Sequence, residues 1–190
     1  FWNLVTLDGS FTEWIAQIEN VIGGKGSDTL TGDANRNIFT GLKGNDILDG
    51  AGGLDGASFA DKTTDLTITL NNGNEVSVVV SATETDKIRN IEDLEGGSGN
   101  DKFTGDSFAN KLLGGLGDDI LKGGSGDDTL AGGKGSDTLS GSTGFDKFVF
   151  DVKPSATSGI DTITDFNVDQ DKILLTKGSF KALGASVTAE

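Results

Sequence analysis

Between Gly96 and Val149 the chain repeats every nine residues: GGSGNDKFT, GDSFANKLL, GGLGDDILK, GGSGDDTLA, GGKGSDTLS, GSTGFDKFV. Four of these six blocks keep the full pattern Gly-Gly-x-Gly-x-Asp-x-apolar-x. The sixth keeps Gly144 and Asp146, and the second is degenerate. A shorter array precedes it over Gly23–Ser58: GGKGSDTLT, GDANRNIFT, GLKGNDILD, GAGGLDGAS. Glycine is costly in regular structure and useful where φ is positive or backbones approach closely, so phased glycine means phased turns. Each block reads as a turn over its first six positions and a short strand over its last three. Two blocks then make one coil, with strands stacked about 4.8 Å apart along each face.

A longer repeat encloses both arrays. Ile18–Gly50 and Ile91–Gly123 align at a spacing of 73 residues, which maps Asp28 to Asp101, Asn37 to Asn110 and Asp46 to Asp119. The degenerate second block recurs in both copies, as GDANRN and GDSFAN.

Composition narrows the chemistry. With 30 acidic and 15 basic residues the net charge is −15, which argues against nucleic acid and anionic membranes and suits a cationic partner. The absence of Cys and His excludes thiolate and imidazole metal sites and a His-based catalytic triad. Oxygen donors remain, and these serve hard cations, calcium first. No apolar run is long enough for a membrane-spanning helix. The opening FWNLVTLDGS has no basic leader and no initiator Met, and is expected to be a cut inside a longer protein rather than a signal peptide.

Phasing of Gly, Asp and an apolar residue together is the signature of a parallel β-roll. Blocks two apart fall on the same side, so Asp101, Asp119 and Asp137 form one column, and Asn110, Asp128 and Asp146 the opposite one. In the first array the columns are Asp28 with Asp46, and Asn37 with Asp55. Two like charges about 5 Å apart repel by roughly 1 kcal/mol in water and roughly 3–4 kcal/mol at an effective dielectric of about 20. Asp118 and Asp127 add charge to the same turns. A divalent cation between successive turns reverses the sign of this term. Glycines let the turns tighten so that carbonyls face the ion, completing the set of about six to eight oxygens that calcium takes. The residues expected to build these sites are Gly24, Gly26, Asp28, Gly41, Gly44, Asp46, Gly53, Asp55, Gly97, Gly99, Asp101, Gly115, Gly117, Asp119, Gly124, Gly126, Asp128, Gly133, Gly135, Asp137, Gly144 and Asp146, with several Ca2+ ions as ligand. The half-sites on Asn37 and Asn110 are expected to hold no ion. One apolar residue per strand (Leu30, Phe39, Leu48, Phe103, Leu112, Leu121, Leu130, Leu139, Phe148) points inward. So thin a core should not offset the backbone entropy of each coil alone, and the array is expected to fold on binding calcium.

The remaining segments divide the chain into a lead-in over 1–22, the first array over 23–58, an insertion and second lead-in over 59–95, the main array over 96–149, and capping strands over 150–190. In the lead-in, Leu4–Leu7 reads as a strand, Asp8-Gly9 as a turn, and Phe11–Asn20 as a short amphipathic piece with a weak helical reading. In the insertion, Asp65–Leu70 and Val76–Val80 alternate like strands about a turn at Asn71–Asn74, which predicts a β-hairpin against the side or end of the roll. Asp161–Phe166 and Asp171–Leu175 predict two strands over the roll's open end, as terminal repeats of a solenoid require. The fold expected is all-β: a calcium-bound parallel β-roll of two arrays with an inserted hairpin and a C-terminal β cap.

The blocks GGKGSDTLT, GGLGDDILK, GGSGDDTLA and GGKGSDTLS resemble the repeats-in-toxin, or haemolysin-type, calcium-binding family, and IENVIGG, IEDLEGG and FDKFVFD…DTITDFNVDQDKILL resemble the flanks of such arrays. The resemblance implies a parallel β-roll with calcium in its turns. It also implies export through a bacterial type I secretion channel, unfolded at low cytosolic calcium and folding outside the cell. Such modules accompany toxins, metalloproteases, lipases, adhesins and mannuronan C5-epimerases.

The first function expected is therefore a calcium-binding folding and secretion module. An alternative is binding of an acidic, alginate-like polysaccharide, with Lys25, Lys43, Lys122 and Lys134 as charge partners and Trp2 and Trp14 as stacking platforms; these side chains equally suit solubility and packing. Catalysis is not expected. Asp61, Asp65, Glu75, Glu84 and Asp86 show no spacing that makes a catalytic pair, and no phosphate loop or nucleophile elbow is present.

Overall fold

The x-apolar-x tripeptide that closes a nonapeptide, directly after its Asp or Asn, is the unit from which the observed strands are built. A computed structural model describes residues 4–6, 12–14, 19–152 and 159–176. The lead-in and first array contain β1 (Leu4–Thr6), β2 (Thr12–Trp14), β3 (Asn20–Ile22), β4 (Thr29–Thr31), β5 (Ile38–Thr40), β6 (Ile47–Asp49) and β7 (Gly56–Ser58). The insertion and second lead-in contain β8 (Thr67–Thr69), β9 (Val76–Ser81), β10 (Glu84–Arg89) and β11 (Asp93–Glu95). The main array contains β12 (Lys102–Thr104), β13 (Lys111–Leu116), β14 (Ile120–Ser125), β15 (Thr129–Lys134), β16 (Thr138–Thr143) and β17 (Lys147–Phe150), followed by β18 (Thr162–Ile163) and β19 (Lys172–Leu175).

Alternate strands lie on opposite faces. One face is a single nine-stranded sheet, β1-β3-β5-β7-β11-β13-β15-β17-β19. The other face is two five-stranded sheets, β2-β4-β6-β10-β9 and β18-β16-β14-β12-β8. All pairings are parallel except β9 with β10. The fold is thus the all-β parallel roll expected from the repeat. The two arrays join: β7 pairs with β11, and β11 with β13, so the long sheet runs unbroken through both.

Register carries the core. On the long face Val21, Phe39, Ala57, Leu94, Leu112, Leu130 and Phe148 stack in one column. Opposite them run Leu30–Leu48–Ile88 and Ile68–Phe103–Leu121–Leu139–Ile163. Apart from the half-buried terminal Ile163, these side chains are buried. Because strand side chains alternate between faces, a three-residue strand sends its middle residue inward and leaves its neighbours partly exposed, as β3, β4 and β5 do.

The insertion differs from the sequence expectation in its pairing. Asp65–Leu70 and Val76–Val80 do not pair with each other. The hairpin is β9 with β10, closed by Ala82-Thr83, while β8 runs parallel to β12. The physical reason is register with the roll. Ile88 continues the column above Leu48, and Ile68 starts the column below Phe103, so β10 and β8 fill coil positions that the repeat leaves vacant, while β9 lies antiparallel at the sheet edge. In the lead-in, Thr12–Trp14 is a strand beside β4 rather than part of a helix. Asp8-Gly9, half of the Phe11–Asn20 piece, Pro154 and Phe180–Glu190 lie outside the described residues. At the other end β18 and β19 pair in parallel with β16 and β17 and so add one further coil, with Ile173, Leu174 and Leu175 exposed on it.

Candidate metal centre

Every turn delivers its sixth residue to the same place. Asp28, Asp46, Asp55, Asp101, Asp119, Asp128, Asp137 and Asp146 are all buried, at the start of the strand that follows each turn. From Asp46 onward, one carboxylate oxygen of each of these aspartates accepts the backbone N–H of the residue at the equivalent place one coil earlier. On one edge Asp28 N donates to Asp46 Oδ1 (2.8 Å) and Asp46 N to Asp86 Oδ1 (2.9 Å). Beyond the insertion the ladder resumes from Leu66 N to Asp101 Oδ1 (2.8 Å), Asp101 N to Asp119 Oδ1 (2.7 Å), Asp119 N to Asp137 Oδ1 (2.8 Å) and Asp137 N to Asp161 Oδ1 (3.1 Å). On the opposite edge Asn37 N meets Asp55 Oδ1 (2.7 Å) and Asp55 N meets Glu92 Oε2 (2.9 Å). Asn110 N, Asp128 N and Asp146 N then meet Asp128, Asp146 and Asp171 Oδ1 at 2.8, 2.9 and 3.1 Å.

The second oxygen separates the blocks into two kinds. Asp28 Oδ2 accepts from Gly24 N (2.8 Å) and Asp101 Oδ2 from Gly97 N (3.2 Å). Asn37 and Asn110 use the same geometry, their Oδ1 accepting from Asp33 N and Asp106 N at 2.9 and 2.8 Å. The Asn110 amide also donates to Glu92 O at 3.0 Å. These four are satisfied by the chain itself. By contrast, Oδ2 of Asp46, Asp55, Asp86, Asp119, Asp128 and Asp137 is buried with no hydrogen-bond partner. An unsatisfied buried polar atom costs about 1–3 kcal/mol, more when charged. Burial, with neighbouring carboxylates adding to it, pushes Asp46, Asp55, Asp119 and Asp128 up to about 7, and Asp86 and Asp137 to about 6. Near neutral pH a bound cation would offset this penalty on the ionised columns.

The donor set fits calcium. No three acidic side chains converge on one point among the described residues, so a bound ion would have to draw on backbone carbonyls as well as carboxylates. Calcium accepts such mixed, flexible oxygen shells, whereas magnesium demands a small rigid octahedron. Room for the ion comes from glycine. A Cβ on Gly23 would lie 2.6 Å from both Asp28 Oδ2 and Gly41 O, and one on Gly41, Gly114, Gly123, Gly132 or Gly141 would overlap the block's own carboxylate in the same way. At the fourth position Gly44, Gly53, Gly117, Gly126, Gly135 and Gly144 hold φ between 109° and 146°, closed to other residues. Gly115, Gly124 and Gly133 do likewise at the second position, with φ of 103–111°. Gly26 and Gly99 place their carbonyls directly beneath Gly44 and Gly117 of the next coil.

Sequence reasoning located the eight aspartates and missed four ladder members, Asp86, Glu92, Asp161 and Asp171, along with most first-position glycines. The missed residues carry half of the repeat signal, an acidic residue two before an apolar one: Asp86-Lys87-Ile88, Glu92-Asp93-Leu94, Asp161-Thr162-Ile163 and Asp171-Lys172-Ile173. The candidate sugar-stacking Trp2 lies outside the described residues, as does the Trp14 side chain, while Lys25, Lys43, Lys122 and Lys134 are exposed. The family model for the RTX calcium-binding nonapeptide repeat matches in four copies, over residues 22–56, 93–112 and 113–148. No curated protein matches the chain.

Proposed function

The chain carries repeats of the RTX calcium-binding family, and we propose that it is a calcium-folded module of a larger bacterial protein, exported unfolded by type I secretion and folding outside the cell. The observation that carries this reading is the set of buried, unpartnered carboxylate oxygens on the two turn edges, above all those of Asp55, Asp119, Asp128 and Asp137, which have no buried basic side chain beside them among the described residues. Without a cation they oppose folding, and with calcium they favour it, so calcium concentration decides the state of the chain. A low-calcium cytosol then keeps the chain extended for transport, and calcium-rich surroundings outside drive it to fold. Far-UV circular dichroism tests this: a disordered spectrum in chelator and a β spectrum on adding excess calcium is expected. A spectrum indifferent to calcium overturns it. No catalytic role is proposed.

A second reading, binding of an acidic polysaccharide, draws on one arrangement. Lys25, Lys43 and Lys134 occupy the third position of turns on one edge and are exposed, while Lys122 lies in β14. NMR titration with alginate oligomers separates the two readings, since a polysaccharide site shifts these lysine resonances and a folding module leaves them in place.

A further inference from the structure

The insertion interrupts one turn edge between Asp46 and Asp101, and a buried lysine sits at that break. Lys62 is 7% exposed. Its backbone belongs to the main-array side, where Lys62 O accepts Ser98 N at 3.0 Å. Its side chain reaches back to the first array, where the ammonium donates to Leu42 O. Glu84 Oε1 of the hairpin lies 2.6 Å away and Asp61 Oδ2 3.3 Å. The same charge acts on Asp46 and Asp86, the last two carboxylates of the first column. Three segments far apart in sequence thus close around one cation supplied by the chain.

Comparison with the regular coils gives this arrangement its meaning. There the carbonyl at the second position accepts a backbone N–H from the next coil: Gly24 O from Lys43 N (3.2 Å), Asp33 O from Gly52 N (3.1 Å), Gly97 O from Leu116 N (2.9 Å) and Asp106 O from Ser125 N (2.8 Å). Leu42 O occupies the equivalent position, but the insertion replaces the coil that would supply its donor. The ammonium takes over that hydrogen bond. It also brings positive charge to Asp61, Glu84, Asp46 and Asp86, four carboxylates that no other buried basic side chain among the described residues serves. Elsewhere on this edge the described residues include no buried cation, and Asp119 and Asp137 face each other's charge directly.

We propose that Lys62 is the resident cation of the seam between the two arrays, filling with its ammonium the role that calcium fills between the other turns and so excluding metal from this junction. This rests on the reading of the other turns as calcium sites. A single ammonium with three donors suits a fixed joint: it cannot be removed by chelation, and its positive charge is tied to the correct pairing of hairpin, first array and main array.

The test is the number of calcium ions bound at saturation, by atomic emission after gel filtration and by calorimetry, in the full chain and in Lys62→Gln and Lys62→Arg. Lys62→Gln is expected to bind one ion more than the wild type, and Lys62→Arg the same number. A Lys62→Gln chain that folds with an unchanged count overturns the proposal while leaving the calcium reading of the other turns intact. A wild type that binds no calcium overturns both. If Lys62→Gln does not fold at any calcium concentration, the double variant Lys62→Gln/Glu84→Gln decides. Recovery of folding when a carboxylate is removed with the ammonium supports charge neutralisation, and continued failure reduces Lys62 to a hydrogen-bonding peg and overturns the proposal.

Discussion

Asp119 shows how one side chain combines a structural and a ligand role. Its Oδ1 accepts Asp101 N and holds two coils in register, while its Oδ2 is buried without a partner. Asn110 holds the same position in the opposite column and satisfies its side chain without an ion. Asp119→Asn is therefore expected to keep the ladder and lose charge. The calcium midpoint for folding should rise several-fold, where each tenfold corresponds to about 1.4 kcal/mol, and the calcium-free chain should become more structured. Calcium titration followed by circular dichroism reads both effects, and a lowered midpoint would contradict the assignment. A second residue-scale expectation concerns backbone strain. Leu42, Ala51 and Ser142 stand at second positions with φ of 65°, 66° and 71°, where an L-residue costs roughly 1–2 kcal/mol relative to glycine. Part of that is returned because glycine loosens the unfolded chain. Ala51→Gly should stabilise the calcium-loaded protein by about 0.5–1 kcal/mol in denaturant titration.

The columns are the element-scale unit, and they respond to protons as well as to metal. Asp46, Asp55, Asp119 and Asp128 sit at about 7, and Asp86 and Asp137 at about 6, against an ordinary 3.8, chiefly because burial penalises the charged form. Between about pH 4 and 7 the folded roll binds more protons than the unfolded chain, so without calcium its stability rises as pH falls through that window and levels off below it. Acidifying a chelated sample from pH 7.5 to 4.5 is expected to increase β structure, and a loss of structure would contradict the assignment. Calcium affinity should weaken over the same range as protons compete. The apolar columns set a second term. Leu121 is fully buried between Phe103 and Leu139, and Leu121→Ala should cost about 2–5 kcal/mol in denaturant titration. What was legible in the sequence follows the same units. Gly, Asp and the apolar residue recur together in the arrays, so coil length, columns and inward side chains could all be read there. In the insertion and cap the paired glycines that open each block are lost, with Gly159 alone keeping a fourth-position glycine's positive φ two residues before Asp161, while the acidic-x-apolar unit persists. The strand at Ile68 was therefore visible, but its partner was not: alternation marks a strand, and pairing depends on which coil position stands vacant.

At the scale of the molecule the two arrays behave as one object. The nine-stranded sheet passes through both, and the insertion fills the opposite face, with Ile88 closing one column and Ile68 opening the next. The sequence gives two arrays separated by 37 residues without the repeat, 59–95; only the register of β7, β11 and β13 makes them continuous. A single cooperative calcium transition should follow, reported alike by fluorescence labels placed in either array. The most direct measurement of the central claim is an anomalous difference map from crystals grown in calcium. Peaks are expected between successive turns beside Oδ2 of Asp119 and Asp137 on one edge and Asp128 on the other, with none at Lys62. Absence of density at these carboxylates in a folded, calcium-saturated chain would contradict the account.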